Sequence, residues 1–336
     1  MESIIKALLA PGKGLLAADE SFGTIGKRFE ALGIASTEEN RRAYRELLFA
    51  TPGLAHHISG AILFDETIRQ TTGGERFPCV LERKGIIPGI KVDKGTVALP
   101  RFDGEKVTQG LDGLRERLAQ YRELGARFTK WRAVIAVGEG LPTLTCIDAN
   151  AHALALFAAL SQEAGLVPIV EPEVLMDGDH TLACCGEVTG VVMKAVFAAL
   201  FEHRVVLETL LLKASMVLAG RDCPQQPAEG EVAEATIRCL RRVVPAAVPG
   251  IVFLSGGQSG VEATQRLNAI CGESGSPWIL SFSFGRALQD GALGAWRGLP
   301  ANATAAQEAL RHRASCNGLA VLGRYLETSD RERMIG

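Results

Sequence analysis

Short apolar segments alternate along the chain with longer segments of helical periodicity. Short apolar runs bounded by turn residues are typical of strands, and apolar residues that recur every three or four positions are typical of helices. We predict eight strands, at residues 14–19, 61–65, 87–93, 127–135, 167–174, 210–216, 251–255 and 278–284.

The segments between these strands predict helices. One of them places Leu111, Leu114, Leu118 and Tyr121 on a single apolar face. Residues 151–164 are apolar almost all round, which indicates a helix buried on more than one side, with Gly165 as its C-cap.

Eight strand–helix units predict an α/β protein with a parallel sheet. A chain of this length closes such units most simply into a single (β/α)8 TIM barrel over residues 1–336, with a short C-terminal tail from about residue 326. A doubly wound open sheet is the alternative. It is disfavoured because no Gly-x-Gly-x-x-Gly motif follows the first strand.

Charged residues lie late in five of the predicted strands. They are Asp19 in the first, Lys91 and Asp93 in the third, Lys130 and Arg132 in the fourth, Glu171 and Glu173 in the fifth, and Lys213 in the sixth. Residues two apart on a strand share a face, and a TIM barrel carries its catalytic groups at the C-terminal ends of its strands. Helix caps and rim salt bridges would explain single aspartates, but desolvating charges from five strands is costly without a function.

Lys213 lies in the apolar run 205–216. Desolvation disfavours an ammonium group, so we expect this lysine to supply a neutral amine that attacks a carbonyl and forms a Schiff base. A cation nearby, such as Lys130, would favour the neutral form further, and a carboxylate such as Glu171 could shuttle its proton. The alternative is a lysine whose stem packs while its ammonium group reaches water.

Glycine-rich segments follow the last two predicted strands. They are Ser255-Gly256-Gly257-Gln258-Ser259-Gly260 and Ser283-Phe284-Gly285-Arg286. Glycines let backbone N–H groups approach an anion, arginine adds a forked counter-charge, and barrels often bind phosphate at these two loops. Two ordinary turns with a surface arginine remain the alternative.

Composition narrows the class of protein further. The net charge of −2 and the lack of a basic stripe argue against nucleic-acid binding. Eight cysteines without a Cys-x-x-Cys pair indicate a reducing compartment. With no secretory segment and no apolar stretch judged long enough to cross a membrane, we expect a cytoplasmic protein. The six histidines show no ligand spacing, so we expect no metal and no other cofactor.

Several longer motifs occur in a fixed order along the chain. They include Leu16-Ala17-Ala18-Asp19-Glu20-Ser21, Gly89-Ile90-Lys91-Val92-Asp93-Lys94-Gly95, Lys130-Trp131-Arg132, Val167-Pro168-Ile169-Val170-Glu171-Pro172-Glu173, Phe253-Leu254-Ser255-Gly256-Gly257-Gln258-Ser259 and Gly285-Arg286-Ala287-Leu288-Gln289. Taken together, these motifs resemble one family, the class I (Schiff-base, metal-independent) fructose-bisphosphate aldolases, from about residue 10 to about residue 325.

This resemblance implies roles for individual residues. Lys213 would form the Schiff base, and Glu171 would donate and accept protons. Asp19 and Lys130 would handle the C3–C4 bond, with Glu173 supporting the lysines from behind. The C1 phosphate and its surroundings would be held by Arg28, Ser255, Gly256, Gly257, Ser283, Gly285 and Arg286. The far end, with the C6 phosphate, would be held by Ser21, Thr24, Lys91 and Arg132.

The implied reaction is reversible cleavage of fructose 1,6-bisphosphate to dihydroxyacetone phosphate and glyceraldehyde 3-phosphate, by a homotetramer. Some features depart from the family pattern, two of them near the site or the C-terminus. Ala214 follows Lys213 where the family has proline, and residues 327–336 lack the tyrosine that closes the tail of the animal enzymes. A non-catalytic scaffold that binds sugar phosphates, or the same chemistry on another ketose phosphate, are therefore the alternatives.

Overall fold

In the computed structural model, which describes residues 1–273 and 275–328, eight parallel strands close into a barrel. They are β1 Gly14–Ala18, β2 Ile58–Leu63, β3 Ile87–Lys91, β4 Phe128–Ile135, β5 Val167–Val174, β6 Leu211–Ala214, β7 Gly250–Phe253 and β8 Ile279–Phe284. Each strand pairs with the next along the chain, and β8 pairs with β1 through Leu15 and Ser283. The predicted TIM barrel is confirmed, and closure excludes the doubly wound sheet.

The predicted strands differ from the observed ones mainly at their ends. The second strand ends at Leu63, and Asp65 instead begins a helix, where its charge suits the N-terminal end of the helix dipole. The third strand ends at Lys91, and beyond it the carboxylate of Asp93 accepts a hydrogen bond of 3.1 Å from the backbone N–H of Gly95, two residues further along the chain. These aspartates therefore lie in loops or helices at the barrel mouth.

Helices surround the barrel. Among the described residues they are α1 Glu2–Leu8, α2 Phe22–Glu30, α3 Glu38–Ala50, α4 Asp65–Arg69, α5 Phe77–Arg83, α6 Leu114–Glu123, α7 Leu144–Glu163, α8 Leu182–Glu202, α9 Glu229–Val243, α10 Gly260–Gly272, α11 Arg286–Trp296 and α12 Ala303–Val321. Two small antiparallel hairpins pair Thr71–Thr72 with Glu75–Arg76 and Thr96–Ala98 with Lys106–Thr108.

The apolar helix predicted at residues 151–164 is the second half of α7. The helix begins earlier, after Thr143, whose hydroxyl accepts a hydrogen bond from the backbone N–H of Cys146. Gly165 follows its end with a φ of +74°, the left-handed conformation that terminates many helices.

Helices α7 and α8 are long and apolar enough to cross a membrane by length and composition, so the prediction that no stretch reaches that length is wrong. The shares of their most apolar windows that are buried inside the protein are 56% and 39%. Both pack against the barrel and against each other, and core helices of soluble proteins pass the same test.

Helix α1 closes the N-terminal end of the barrel. The hydroxyl of Ser59 donates a hydrogen bond of 2.6 Å to the backbone oxygen of Leu8. A Cβ atom on Gly60 would lie 2.6 Å from Leu8, and one on Gly250 would lie 2.5 Å from Leu9. Glycine at these positions therefore lets α1 and its following residue fill the interior, which leaves the opposite end of the barrel for a site.

The assignment of residues 1–336 to one domain, with a tail from about residue 326, stays a prediction. Residues 329–336, which make up most of that tail, lie outside the described residues.

Candidate active site

Four charged side chains from four strands meet at the C-terminal mouth of the barrel. Asp19 directly follows β1, Lys130 lies on β4, Glu171 on β5 and Lys213 on β6. All four line one cavity of about 1180 Å³. The predicted convergence of charges from different strands is therefore seen in the structure.

The four side chains form a continuous row of ion pairs. The Nζ atom of Lys130 lies 2.7 Å from Oδ2 of Asp19 and 3.1 Å from Oε2 of Glu171. The other carboxylate oxygen of Glu171, Oε1, lies 2.9 Å from Nζ of Lys213. The side chains are between 4% and 11% exposed, so Glu171 contacts the Nζ atoms of two lysines in a site that excludes most solvent.

Strand parity explains why these charges point inward. Trp131, between Lys130 and Arg132 on β4, is fully buried in the outer layer and stacks on Phe157 of α7 with ring centroids 5.6 Å apart. Successive side chains of a strand point to opposite faces, so the tryptophan directs its two neighbours into the barrel. The register then pairs Arg132 with Glu171 across β4 and β5.

The ion pairs shift the pKa values of their members. Burial would raise the pKa of Asp19, but the charges of Lys130 and Lys213 outweigh it and lower that pKa to about 2. Burial would lower the pKa of Lys130, but Asp19 and Glu171 hold it above its ordinary value. The pKa of Glu171 is lowered, because Lys130 and Lys213 outweigh its burial. At neutral pH the site thus holds two carboxylates and a permanently charged Lys130.

Glu173, Arg132 and Lys91 line the same cavity, each with a different partner from the one expected. Glu173 forms an ion pair with Arg132, and among the described residues no ion pair joins it to Lys130 or Lys213. Lys91 is paired with Asp93, which also accepts a hydrogen bond from the backbone N–H of Arg132 at 3.2 Å. The two cations predicted for the far phosphate are therefore both neutralised by carboxylates.

The predicted phosphate loops lie together at one side of the cavity, which Ser255, Gly256, Gly257, Ser283, Gly285 and Arg286 all line. Gly256 and Gly257 have φ values of +57° and +92°, which favour glycine. The hydroxyl of Ser283 is buried and has no hydrogen-bond partner within the described part of the chain. A buried hydroxyl normally has a partner, so this one is suited to a polar ligand.

Ser21 caps α2, Thr24 lies in its first turn and Arg28 in its last turn, and all three line the cavity. The hydroxyl of Ser21 caps the helix by accepting from the backbone N–H of Thr24 at 3.4 Å. Arg28 is held by ion pairs to Glu20 and, at 2.9 Å, to Asp290. Burial would lower the pKa of Arg28, but Glu20 and Asp290 raise it above its ordinary value.

The sequence prediction missed several residues that line the cavity, among them Glu20, Lys27, Lys94 and Lys106. The position of Lys94, just after a charged strand end, was a usable signal. Lys106 gave no such signal in the sequence, because it reaches the mouth only through the hairpin of Thr96–Ala98 with Lys106–Thr108.

Among the described residues, no group of three or more His, Cys, Asp or Glu side chains could hold a metal ion.

A closed barrel with a buried lysine, a bridging glutamate and two phosphate-ready loops at its mouth defines a Schiff-base lyase of sugar phosphates. The family model "Fructose-bisphosphate aldolase class-I" matches residues 1–335. The chain therefore belongs to the class I fructose-bisphosphate aldolases, as its motifs predicted. Its activity is reversible aldol cleavage through a lysine Schiff base, and class I enzymes need no metal ion.

Individual relatives agree with this assignment. The chain is 57% identical over 322 residues to a probable fructose-bisphosphate aldolase class 1 of Xanthomonas campestris pv. campestris, covering 95% of this chain and 96% of that protein. It is 54% identical over 318 residues to the cytoplasmic isozyme of Cicer arietinum, covering 94% and 88%. The fructose-bisphosphate aldolase of Plasmodium falciparum, solved with TRAP and a small-molecule inhibitor, superimposes with a TM-score of 0.95 at 49% identity, covering 97% and 94%.

Proposed function

We propose that Lys213 forms the Schiff base with the C2 ketone of fructose 1,6-bisphosphate and that Glu171 moves the protons of this step. The observation that carries the proposal is the position of the Glu171 carboxylate, 2.9 Å from Nζ of Lys213. One proton passes from this Nζ to Glu171, and the freed amine attacks C2 to give a carbinolamine. Glu171 then returns the proton to the carbinolamine hydroxyl, which leaves as water and gives the iminium ion.

Asp19 and Lys130 serve the carbon–carbon step in this proposal. Asp19 accepts the proton of the C4 hydroxyl, and the electron pair of the C3–C4 bond moves into the iminium ion to form an enamine. Glyceraldehyde 3-phosphate leaves with the new carbonyl at C4. Lys130, 2.7 Å from Asp19, keeps that carboxylate ionised and supplies positive charge where the C4 oxygen becomes more negative. Protonation and hydrolysis of the enamine then release dihydroxyacetone phosphate.

The two ends of the substrate have separate binding groups in this proposal. The C1 phosphate lies at the loops after β7 and β8, and the unpartnered hydroxyl of Ser283 supports this placement. The C6 phosphate lies toward Ser21 and Thr24 at the N-terminus of α2, where backbone N–H groups and the helix dipole favour anions. Lys91 and Arg132 add charge there when the phosphate competes for them with Asp93 and Glu173.

The proposal is tested by trapping the covalent intermediate. Borohydride added with fructose 1,6-bisphosphate is expected to reduce the iminium ion, and peptide mapping is expected to find the adduct on Lys213. A Lys213→Met variant should give no adduct, and Lys6→Met, which removes an exposed lysine of α1, should give the same amount as the unmodified protein. An adduct on a different lysine would contradict the assignment of Lys213.

We also propose a homotetramer in the cytoplasm. The family resemblance supports the tetramer, and so does the outer face of α8, where the side chains of Val191 and Phe201 are 49% and 83% exposed. The relatives named as cytoplasmic or cytosolic isozymes in Cicer arietinum and Arabidopsis thaliana support the location. Light scattering is expected to give four times the chain mass of 35.8 kDa, and a mass equal to one chain would contradict the tetramer.

A further inference from the structure

Arg221, which the sequence motifs did not single out, lies beside the glycine-rich loop after β7. Its Nη2 atom is 2.8 Å from the position that a Cβ atom on Gly257 would occupy. Nη2 of Arg286 is 3.4 Å from that same position. Two guanidinium groups, one from the loop after β6 and one from the start of α11, therefore approach a single point beside the loop.

The backbone at Arg221 is held in place by three hydrogen bonds to the loop after β5. Gly220 donates to the carbonyl of His180 at 2.7 Å, Arg221 to that of Met176 at 2.7 Å, and Asp222 to that of Gly178 at 2.9 Å. A Cβ atom on Gly220 would lie 2.2 Å from the carbonyl oxygen of Gly178, so only glycine permits this contact. The backbone of Arg221 is therefore held in a fixed position in the loop after β6.

Within the part of the chain that the structure describes, the two guanidinium groups are not paired with carboxylates. Within residues 1–273 and 275–328, neither Arg221 nor Arg286 forms a side-chain ion pair or hydrogen bond, whereas Arg28 and Arg132 at the same mouth are both paired with carboxylates. Like charges this close repel each other, and an anion between them would turn the repulsion into attraction. Arginine binds phosphate through two parallel N–H bonds, so the pair suits a phosphate dianion.

We propose that Arg221 is a specificity-determining residue that binds, together with Arg286, the C1 phosphate of the ketose. This inference rests on the proposed placement of that phosphate at the loops after β7 and β8. It implies that the C1 end contributes a large share of the substrate affinity, because two arginines and the backbone N–H groups of the glycine loop contact one phosphate.

Steady-state kinetics of an Arg221→Gln variant test the inference. We expect the KM for fructose 1,6-bisphosphate and the inhibition constant of inorganic phosphate each to rise about tenfold, as for the loss of a charge-assisted hydrogen bond. We expect kcat to stay within about twofold, because Arg221 does not touch the reacting carbons. For Arg221→Lys, both constants should lie between those of the unmodified protein and those of Arg221→Gln. Arg76→Gln is the control for net charge, since Arg76 is exposed on the Glu75–Arg76 strand away from the cavity.

Two results would overturn the role of Arg221. One is an unchanged KM and phosphate inhibition constant in Arg221→Gln, and the other is a lower kcat at an unchanged KM. Borohydride trapping at saturating substrate separates this failure from failure of the proposed function. An adduct on Lys213 with unchanged constants in Arg221→Gln rejects only the inference, and absence of the adduct in the unmodified protein rejects the proposed function. Circular dichroism of both Arg221 variants confirms that they are folded.

Discussion

At the scale of single residues, the central feature of the site is the carboxylate of Glu171, which contacts the Nζ atoms of two lysines. Oε1 lies 2.9 Å from Lys213 and Oε2 lies 3.1 Å from Lys130. A carboxylate in this position can exchange a proton with Lys213 while Lys130 keeps its own charge, because the pKa of Lys130 is held above its ordinary value. The roles proposed for the two lysines therefore differ, although both side chains contact the same carboxylate.

Replacing Lys130 by methionine removes the charge that Asp19 and Glu171 share. We expect kcat to fall by roughly 10²–10⁴-fold, in the range typical for loss of a group that acts on the transition state. The pKa values of Asp19 and Glu171 are expected to rise, so the acid limb of the kcat/KM profile should move to higher pH. Lys130→Arg, which keeps the charge, is the control, and an unmoved acid limb in Lys130→Met would contradict the pairing.

The depressed pKa of Asp19 also predicts how stability depends on pH. The pKa is about 2 in the folded protein against an ordinary value of 3.8, so the ionised carboxylate stabilises the fold above pH 4 and this contribution disappears as the pH falls toward 2. The difference in unfolding free energy between unmodified protein and Asp19→Asn should therefore shrink by roughly 2 kcal/mol over that range. Urea unfolding at several pH values measures it, and a constant difference would contradict the low pKa.

At the scale of elements, complementary sizes inside the barrel determine how the strands and α1 fit. Gly60 faces Leu8, Gly250 faces Leu9 and Gly89 faces the ring of Phe128. Large side chains fill the N-terminal half where glycines make room, and charged side chains occupy the C-terminal half. The hairpin at the mouth is attached separately, by Glu105, whose carboxylate accepts a hydrogen bond of 2.7 Å from the backbone N–H of Thr143 at the start of α7.

Gly89→Ala tests the packing inside the barrel. A Cβ atom there would lie 2.3 Å from the Phe128 ring, so the ring must move, and we expect a loss of about 1–3 kcal/mol in the free energy of unfolding. Gly190→Ala is the matched control on α8, where the added methyl meets nothing within 4 Å. It should stabilise the protein by about 0.5–1 kcal/mol, because alanine favours a helix more than glycine does. Equal urea midpoints for the two variants would contradict this account.

For the molecule as a whole, catalysis should be independent of metal ions. The reaction needs only a site for the electrons of the broken bond, and the iminium ion proposed at Lys213 would supply it. Dialysis against EDTA is expected to leave kcat, KM and the melting temperature unchanged. Activity that falls after dialysis and returns with Zn²⁺ or Mg²⁺ would show a second mechanism.

Much of the fold was predictable because eight buried strands leave a repeated pattern of short apolar runs. The site core was predictable for a related reason, since Asp19, Lys130, Glu171 and Lys213 are charges at the ends of those runs. Strand parity gives the face on which a side chain lies but not its partner, so the pairing of Arg132 with Glu173 could not be read from the sequence.

The parts that could not be predicted depend on contacts between loops. Lys106 lines the cavity through a hairpin anchored to α7, and Arg221 is held beside Gly257 by backbone hydrogen bonds to the loop after β5. Neither contact leaves a periodic signal, because loop conformations are set by individual hydrogen bonds to distant segments. The error about membrane-length segments is different in kind, because the apolar length of α7 and α8 is itself a property of the sequence, and the fold adds only that both helices pack against the barrel.

The pairing of β1 with β8 has a consequence for biosynthesis. It joins Leu15 to Ser283, so the barrel cannot close until β8, the last strand to be synthesised, is available to pair with β1, the first. Until then Leu8 and Leu9 lack part of the interior that covers them, and the nascent polypeptide exposes apolar surface of the kind that chaperones bind. Active enzyme therefore arises only when translation is nearly finished, and a truncated product should be inert and prone to aggregate.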